Sequence, residues 1–261
     1  MFEVKLDTVR QLSESTKEFR FAIVGQGSLG YEPGQFYRFT FEDVQGVFQR
    51  SYSLSNLENQ EGKHLDIIVS KVEGGRATSL LFNASPGMRA RVTGPHGRLI
   101  LPRKAPKHLF LIATSVGVAP YLPIMRRLEN ENYEKVDLFF GVRDRGEFIY
   151  EDFFKAYAEE NDFFDFRLCL SRENAEAEYE YSGYVTDLLK KENLSPSGSL
   201  FLVCGNPQMV EDVWSFLTGR KFGGPQVITE KYVFAKDKTT SSSELTDAQK
   251  DLIAEELKKI N

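Results

Sequence analysis

Two short stretches in the first third of the chain carry residue types suited to holding an anion beside a flat ring. In QRSYSLS (49–55), strand alternation would send Arg50, Tyr52 and Leu54 to one face and Ser51, Ser53 and Ser55 to the other. A guanidinium pairs a phosphate bidentately, and a phenol ring two residues on offers a stacking surface. In KVEGGRATSLL (71–81), two glycines precede Arg76, Ala77, Thr78 and Ser79. Glycine lets the backbone approach a ligand closely, and a helix starting here would aim free amides and two hydroxyls at an anion. Presented together, Arg50 and this helix start would hold a pyrophosphate between them.

The second half offers a different set. LIATSVGVAPYLPIMRRL (111–128) leaves a buried-strand run, at the place where open α/β sheets bind ligands. Its spacing is not GxGxxG. Pro120 and Pro123 suit a helix beginning near Ala119, since first-turn amides have no internal partner to lose. Arg143, Ser171 and Arg172 follow later strands of the same pattern and supply a hydroxyl and two donor forks for a phosphate. CGNPQM (204–209) follows another strand, and Cys204 alone reads as a small buried thiol. Singly, each pattern also fits an ordinary surface arginine, helix cap or strand–turn–helix; their joint placement is what points to a site.

The elements that must position these residues fall into two kinds. Up to about residue 100 the chain alternates apolar and polar residues in short runs, with Phe19, Phe21 and Ile23 in one and Leu65, Ile67 and Val69 in another. Glycines and prolines punctuate them, as in an antiparallel β-barrel. From His108 the rhythm becomes strand (108–113), helix (119–130), strand (136–142), helix (150–160), strand (164–170), helix (184–191), strand (200–204), helix (208–217) and strand (227–233). That alternation predicts a parallel sheet covered on both faces. The expected organisation is therefore a barrel over 1–105, an α/β domain over 106–234, and a tail over 235–261. The tail opens with serine-rich AKDKTTSSSEL (235–245). Thr246 and Gln249 then offer a capping box, and Leu252, Ile253, Leu257 and Ile260 an apolar helical stripe.

Composition narrows the chemistry. The 261 residues hold only two cysteines, too few for an iron–sulfur cluster or a four-cysteine zinc site, and three scattered histidines, so no metal site is expected. Redox chemistry would need an organic cofactor. Residues 1–105 carry a net charge of +3, residues 106–235 one of −7 and residues 236–261 one of −1. No concentrated basic face is expected, which argues against nucleic-acid binding and leaves room for an acidic protein partner at the front. No apolar run is long enough for a membrane span, and the N-terminus lacks the apolar core of a signal peptide, so a cytoplasmic location is expected.

Taken in order, Arg50-Ser51-Tyr52-Ser53, Gly75 to Ser79, GPHG (94–97), Thr114 to Pro120, Gly141-Val142-Arg143, Ser171-Arg172-Glu173 and Cys204-Gly205-Asn206-Pro207 resemble the ferredoxin–NADP reductase family. KVEGGRATSLL and CGNPQM look most similar to its bacterial ferredoxin/flavodoxin members. The resemblance covers about residues 1–234. It implies an FAD-binding barrel followed by an NADP-binding sheet. By position, Arg50 would bind the FAD pyrophosphate, Tyr52 would stack on the flavin and Ser53 would lie near its N5. Gly75, Arg76, Ala77, Thr78 and Ser79 would hold the diphosphate. Thr114 and Gly117 would line the NADP path, Cys204 would lie beside the nicotinamide, and Arg143, Ser171 and Arg172 would grip the 2′-phosphate. Tyr232, with Phe234 beyond it, would cover the opposite flavin face, and Glu230 would contact a proton or the nicotinamide. The chain departs from the family pattern at Ser115 and Val116, where glycine and threonine are common, and at Tyr184, where some bacterial members carry arginine.

The implied activity is electron exchange between NADP(H) and a one-electron carrier, ferredoxin or flavodoxin. A hydride brings two electrons, iron–sulfur proteins accept one at a time, and a flavin handles both, so the protein need only orient the rings. Two other readings stay open: the reductase component of an oxygenase system, and a non-catalytic nucleotide-binding module whose tail engages a partner. Monomer and homodimer are equally open.

Overall fold

Apolar residues at every second position build the first sheet. The computed structural model describes residues 1–25, 27–57, 62–129 and 133–232. Strands β1 (Phe2–Gln11), β2 (Thr16–Ile23), β3 (Phe36–Asp43), β4 (Gly46–Ser53), β5 (His64–Ser70) and β6 (Arg89–His96) pair antiparallel in the order β4-β3-β6-β1-β2-β5. A bridge between Leu54 and Ile67 joins the two outer strands and closes the sheet into a barrel. Val4, Leu6, Phe19, Phe21, Phe39, Phe41, Leu65, Ile67 and Val92 point inward and are buried. Helix α1 (Arg76–Phe82) adds Ala77 and Leu81 to that core.

The second sheet is parallel, in the order β10-β9-β8-β7-β11-β12. Its strands are β7 (His108–Thr114), β8 (Lys135–Val142), β9 (Phe164–Leu170), β10 (Glu180–Ser182), β11 (Ser199–Gly205) and β12 (Val227–Lys231). The central strands are near-continuous apolar runs because both faces are covered. Helices α2 (Tyr121–Leu128) and α3 (Glu151–Glu160) pack on the face of Leu109, Leu111 and Leu138. Helices α4 (Val185–Lys191) and α5 (Pro207–Gly219) pack on the face of Phe110, Ile112 and Phe139.

Two details depart from the sequence expectation. The helix expected over 119–130 is shorter, α2, and a tight 3-10 turn at Ser115–Val118 precedes it. Two prolines in close succession, Pro120 as the cap and Pro123 in the first turn, set that start. Strand β10 went unrecognised because three residues are too few to display a period. The expected tail helix and Phe234 lie outside the described residues.

The two sheets meet along a shared wall. Leu99 and Leu101, from the segment joining them, pack into the core of the second sheet together with Ile68 of β5. Gly34, at φ 100°, lies so close to the Leu99 carbonyl that a Cβ there would fall 1.8 Å from its oxygen. On another side, the Tyr150 hydroxyl donates to the Glu18 carboxylate and accepts from Arg10, tying the start of α3 to β1 and β2.

Candidate active site

A cleft of about 470 Å³ opens where β4, β5 and α1 of the barrel face the end of β12. Arg50, Ser51, Tyr52 and Ser53 all reach it, from both faces of β4, because the cleft wraps the edge of that strand. Tyr52 is anchored edge-on against Phe39 and Phe41, with ring centroids 5.6 and 6.4 Å away. Burial pushes its phenol above the ordinary value, with partial offset from Arg50. Arg50 and Arg76 both lie over the Phe48 ring, at 5.5 and 4.2 Å. Phe48 thereby acts as a platform for two guanidinium groups at the cleft edge.

The start of α1 lines the same cleft through Gly75, Arg76, Ala77 and Thr78. No side chain caps the start of this helix, and its first amides have no partner within it. The side chains behave differently from the amides. Arg76 is committed to Asp43, with bonds of 2.8 and 2.6 Å to its two oxygens, and to the Gly46 carbonyl. The Thr78 hydroxyl is turned back onto the Val72 and Gly75 carbonyls, each 3.0 Å away. Ser79 is exposed and does not line the cleft. Of the five residues expected to hold a diphosphate, Gly75, Arg76, Ala77 and Thr78 line the cleft and Ser79 does not, and the Thr78 hydroxyl is engaged in shaping the turn.

The opposite wall comes from β12 and the residue beyond it. The Ser53 hydroxyl donates to Glu230 Oε1 at 2.9 Å. Burial raises the Glu230 pKa, and the Ser53 bond offsets part of that rise. Tyr232 lines the cleft, its backbone amide donating to the Gly205 carbonyl. Its buried hydroxyl lies by Ser53 and Cys204 without completing a well-formed hydrogen bond. Cys204 is paired in register with Glu230 and fully enclosed behind this wall, so burial drives its thiol pKa up. It does not line the cleft.

Thr114 and Gly117 do not line the cleft, although Val116 between them does. The Thr114 hydroxyl accepts from the Asn206 amide at 3.0 Å, tying the loop after β7 to that after β11. A Cβ on Gly117 would fall 2.3 Å from the Cys204 carbonyl oxygen, so glycine is what permits this approach. Asn206 caps α5 by accepting from the amides of Gln208 and Met209.

Arg143, Ser171 and Arg172 come together at the carboxyl edge of β8 and β9. The Arg172 amide donates to the Arg143 carbonyl at 2.9 Å, and the Ser171 hydroxyl donates to the Val142 carbonyl at 3.2 Å. The Arg172 side chain is exposed, and Arg143 makes only a loose 3.5 Å pair with Glu147. Exposed Tyr184 caps the start of α4 nearby in sequence. Among the described residues, no group of three or more His, Cys, Asp or Glu could hold a metal ion.

Comparison with known proteins follows the same division. The oxidoreductase FAD-binding domain family matches residues 3–100, and the oxidoreductase NAD-binding domain family matches residues 111–214. The ferredoxin–NADP reductase of Azotobacter vinelandii is 28% identical over 221 residues, spanning 77% of this chain and 83% of that protein. The chain is an FAD- and NAD-binding oxidoreductase with ferredoxin–NADP reductases among its relatives. A solved ferredoxin NADP+ reductase from Neisseria gonorrhoeae, with bound FAD and NADP, superposes with a TM-score of 0.74 at 25% identity, covering 88% of this chain and 97% of that one. The toluate 1,2-dioxygenase electron transfer component of Pseudomonas putida is 27% identical over 234 residues, 88% of this chain and 67% of that protein.

The two matched families give the chain an FAD-binding and an NAD(P)-binding domain. The cleft suits a flavin: it offers an aromatic wall at Tyr52, a guanidinium at Arg50 and uncapped amides at α1. Phe36, Arg38, Gln49, Ile68 and Val72 also line it and were not singled out from the sequence. Phe36 carried a faint signal, since it follows the Pro33–Gly34 turn directly into β3. The β5 residues carried none, because inward apolar residues and cleft-lining ones look alike in an alternating strand. No helix among the described residues is long and apolar enough to cross a membrane.

Proposed function

We propose that this reductase exchanges electrons between NADP(H) and a one-electron protein carrier of the ferredoxin or flavodoxin class. The observation that carries the reading is the convergence of Arg50, Tyr52 and the α1 amides with Glu230 and Tyr232 on one cleft between the two domains. A bound FAD would supply the ability to accept two electrons as a hydride and pass them on singly. The protein's own residues bind and orient. Arg50 and the amides at 76–78 hold a diphosphate, and Tyr52 and Tyr232 confine a planar ring. Ser53 and Glu230 form a buried proton-bearing pair beside that ring, and Cys204 backs it. Arg143, Ser171 and Arg172 recognise the 2′-phosphate of NADP, because an additional dianion needs fixed positive charge.

The likeness to a dioxygenase electron transfer component supports a second reading, in which the carrier belongs to an oxygenase. The chemistry at the cleft is the same, and only the acceptor differs. The test is reconstitution with FAD followed by rapid mixing with NADPH, and then steady-state reduction of a panel of ferredoxins, flavodoxins and oxygenase ferredoxins. Bleaching of the flavin with carrier-dependent turnover is expected. A protein that takes up no flavin, or that binds NADPH without bleaching, overturns the catalytic reading.

A further inference from the structure

The loop that carries Arg172 is strongly acidic. SRENAEAEYE (171–180) holds one arginine against four glutamates, a poor charge balance for admitting a phosphate dianion. One residue outside the loop resolves this. Arg145, in the short turn Arg145–Glu147 after β8, donates from Nε and Nη2 to the two oxygens of Glu180 at 2.7 and 2.6 Å. Its Nη1 reaches Glu173 Oε2 at 3.2 Å and lies 3.6 Å from Glu176, and its own amide donates to Glu173 at 2.9 Å. Nη2 also donates to the Asn174 carbonyl at 2.6 Å. Glu180 in turn accepts from the amides of Glu176 and Ala177, so the whole loop is strung on one guanidinium.

We propose that Arg145 is a positioning residue for nucleotide selectivity: it gathers Glu173, Glu176 and Glu180 and so leaves Arg172 available to a 2′-phosphate. The inference rests on the reading that Arg143, Ser171 and Arg172 take that phosphate. Two features support a role beyond holding the loop. Three of the four carboxylates are turned toward Arg145, whereas Arg172, next in sequence to Glu173, makes no ion pair among the described residues. The Arg172 backbone is held independently by Arg143, so the loop's root does not need Arg145. Without Arg145, the freed carboxylates would compete for Arg172 and repel the incoming dianion.

The experiment is calorimetric titration of the flavin-loaded protein with 2′,5′-ADP and with 5′-AMP, which differ in the 2′-phosphate, alongside thermal melts. Arg172→Ala tests the underlying reading: it must lose most of the preference for 2′,5′-ADP, and an unchanged preference would remove the reading and this inference with it. With that established, Arg145→Gln is expected to weaken 2′,5′-ADP binding at least tenfold and 5′-AMP binding less than twofold. Equal losses for both ligands, or no loss, would overturn the proposal. Arg145→Gln combined with Glu173→Gln and Glu180→Gln removes the stranded charges and is expected to recover at least half of the lost preference. It is also the fallback if the single variant melts early. A triple variant that is folded but still unselective rejects the charge account.

Discussion

Ser53, the last residue of β4 in the barrel, and Glu230, in the last strand of the parallel sheet, meet across the cleft through a 2.9 Å hydrogen bond. They stand 177 positions apart in sequence, and each is brought to the cleft by a different sheet. The bond therefore reports on domain juxtaposition as well as on the local charge state. It also sets two influences on one carboxyl against each other: burial favours the protonated form, while the donated hydroxyl favours the carboxylate.

Because burial prevails, the folded-state pKa of Glu230 lies above its ordinary value near 4.5. A carboxyl with a raised folded pKa contributes stability that is fully present below the unfolded pKa and lost as pH rises through the folded one. Glu230→Gln cannot ionise and escapes that loss. The melting temperature of the variant relative to the parent should therefore climb as pH is raised from about 4 to 7. A difference that stays constant across the series would mean that Glu230 ionises as freely as an exposed carboxyl.

Tyr150 links the domains through its hydroxyl, which bonds Glu18 and Arg10, while those two already pair with each other at 2.9 Å. Tyr150→Phe leaves that pair and the ring in place. Removing a hydroxyl bonded to a charged group costs about 1.5–3 kcal/mol. The expected result is a melting temperature lower by about 3–10 °C, with faster proteolytic cleavage in the segment 97–107 between the sheets. An unaltered melt and an unaltered digestion pattern would show that the hydroxyl contributes nothing to docking.

Periodicity made the architecture legible. Phe19, Phe21, Leu65 and Ile67 alternate because one side of each faces a barrel interior, and HLFLIA (108–113) is continuous because β7 is covered on both faces. The cleft was legible in part. Arg50, Tyr52, Ser53, Gly75–Thr78, Glu230 and Tyr232 do line one cavity. Sequence could not show that Thr78 turns its hydroxyl onto the Val72 and Gly75 carbonyls, that Arg76 is claimed by Asp43, or that Val116 rather than Thr114 or Gly117 lines the cavity. Each depends on a partner tens of residues away or on a rotamer choice, and neither leaves a trace in local pattern. Arg145 escaped for the same reason: its role exists only once Glu173, Glu176 and Glu180 are folded around it.

Ser115 adopts a left-handed backbone, φ 51°, at the first residue of the turn after β7. That conformation costs a residue bearing a Cβ about 1–2 kcal/mol, part of which glycine returns through its greater freedom when unfolded. Ser115→Gly should raise stability by about 0.5–1 kcal/mol, read as a melting temperature higher by a few degrees. Ser115→Ala, which keeps the Cβ, should bring no such gain. Equal behaviour of the two variants would show that the gain does not come from relief at φ.

Gly117 poses the opposite case. Its backbone carries no positive φ, yet a Cβ would meet the Cys204 carbonyl oxygen at 2.3 Å and the Gly205 Cα at 2.7 Å. Both neighbours are backbone atoms at the end of β11, and Gly205 is itself pressed against Thr114, so no flexible side chain is available to yield. Gly117→Ala must push the turn at Ser115–Val118 away from β11, carrying Val116 toward the cleft that it lines. Overpacking of this kind costs about 1–3 kcal/mol. Two readouts should then move together: a lower melting temperature, and a higher KM for NADPH with flavin content retained, because the displaced Val116 would narrow the cleft that it lines. A variant that melts like the parent would show that β11 and the turn can separate without strain, and a lower melt with an unchanged KM would place the turn outside the nucleotide path.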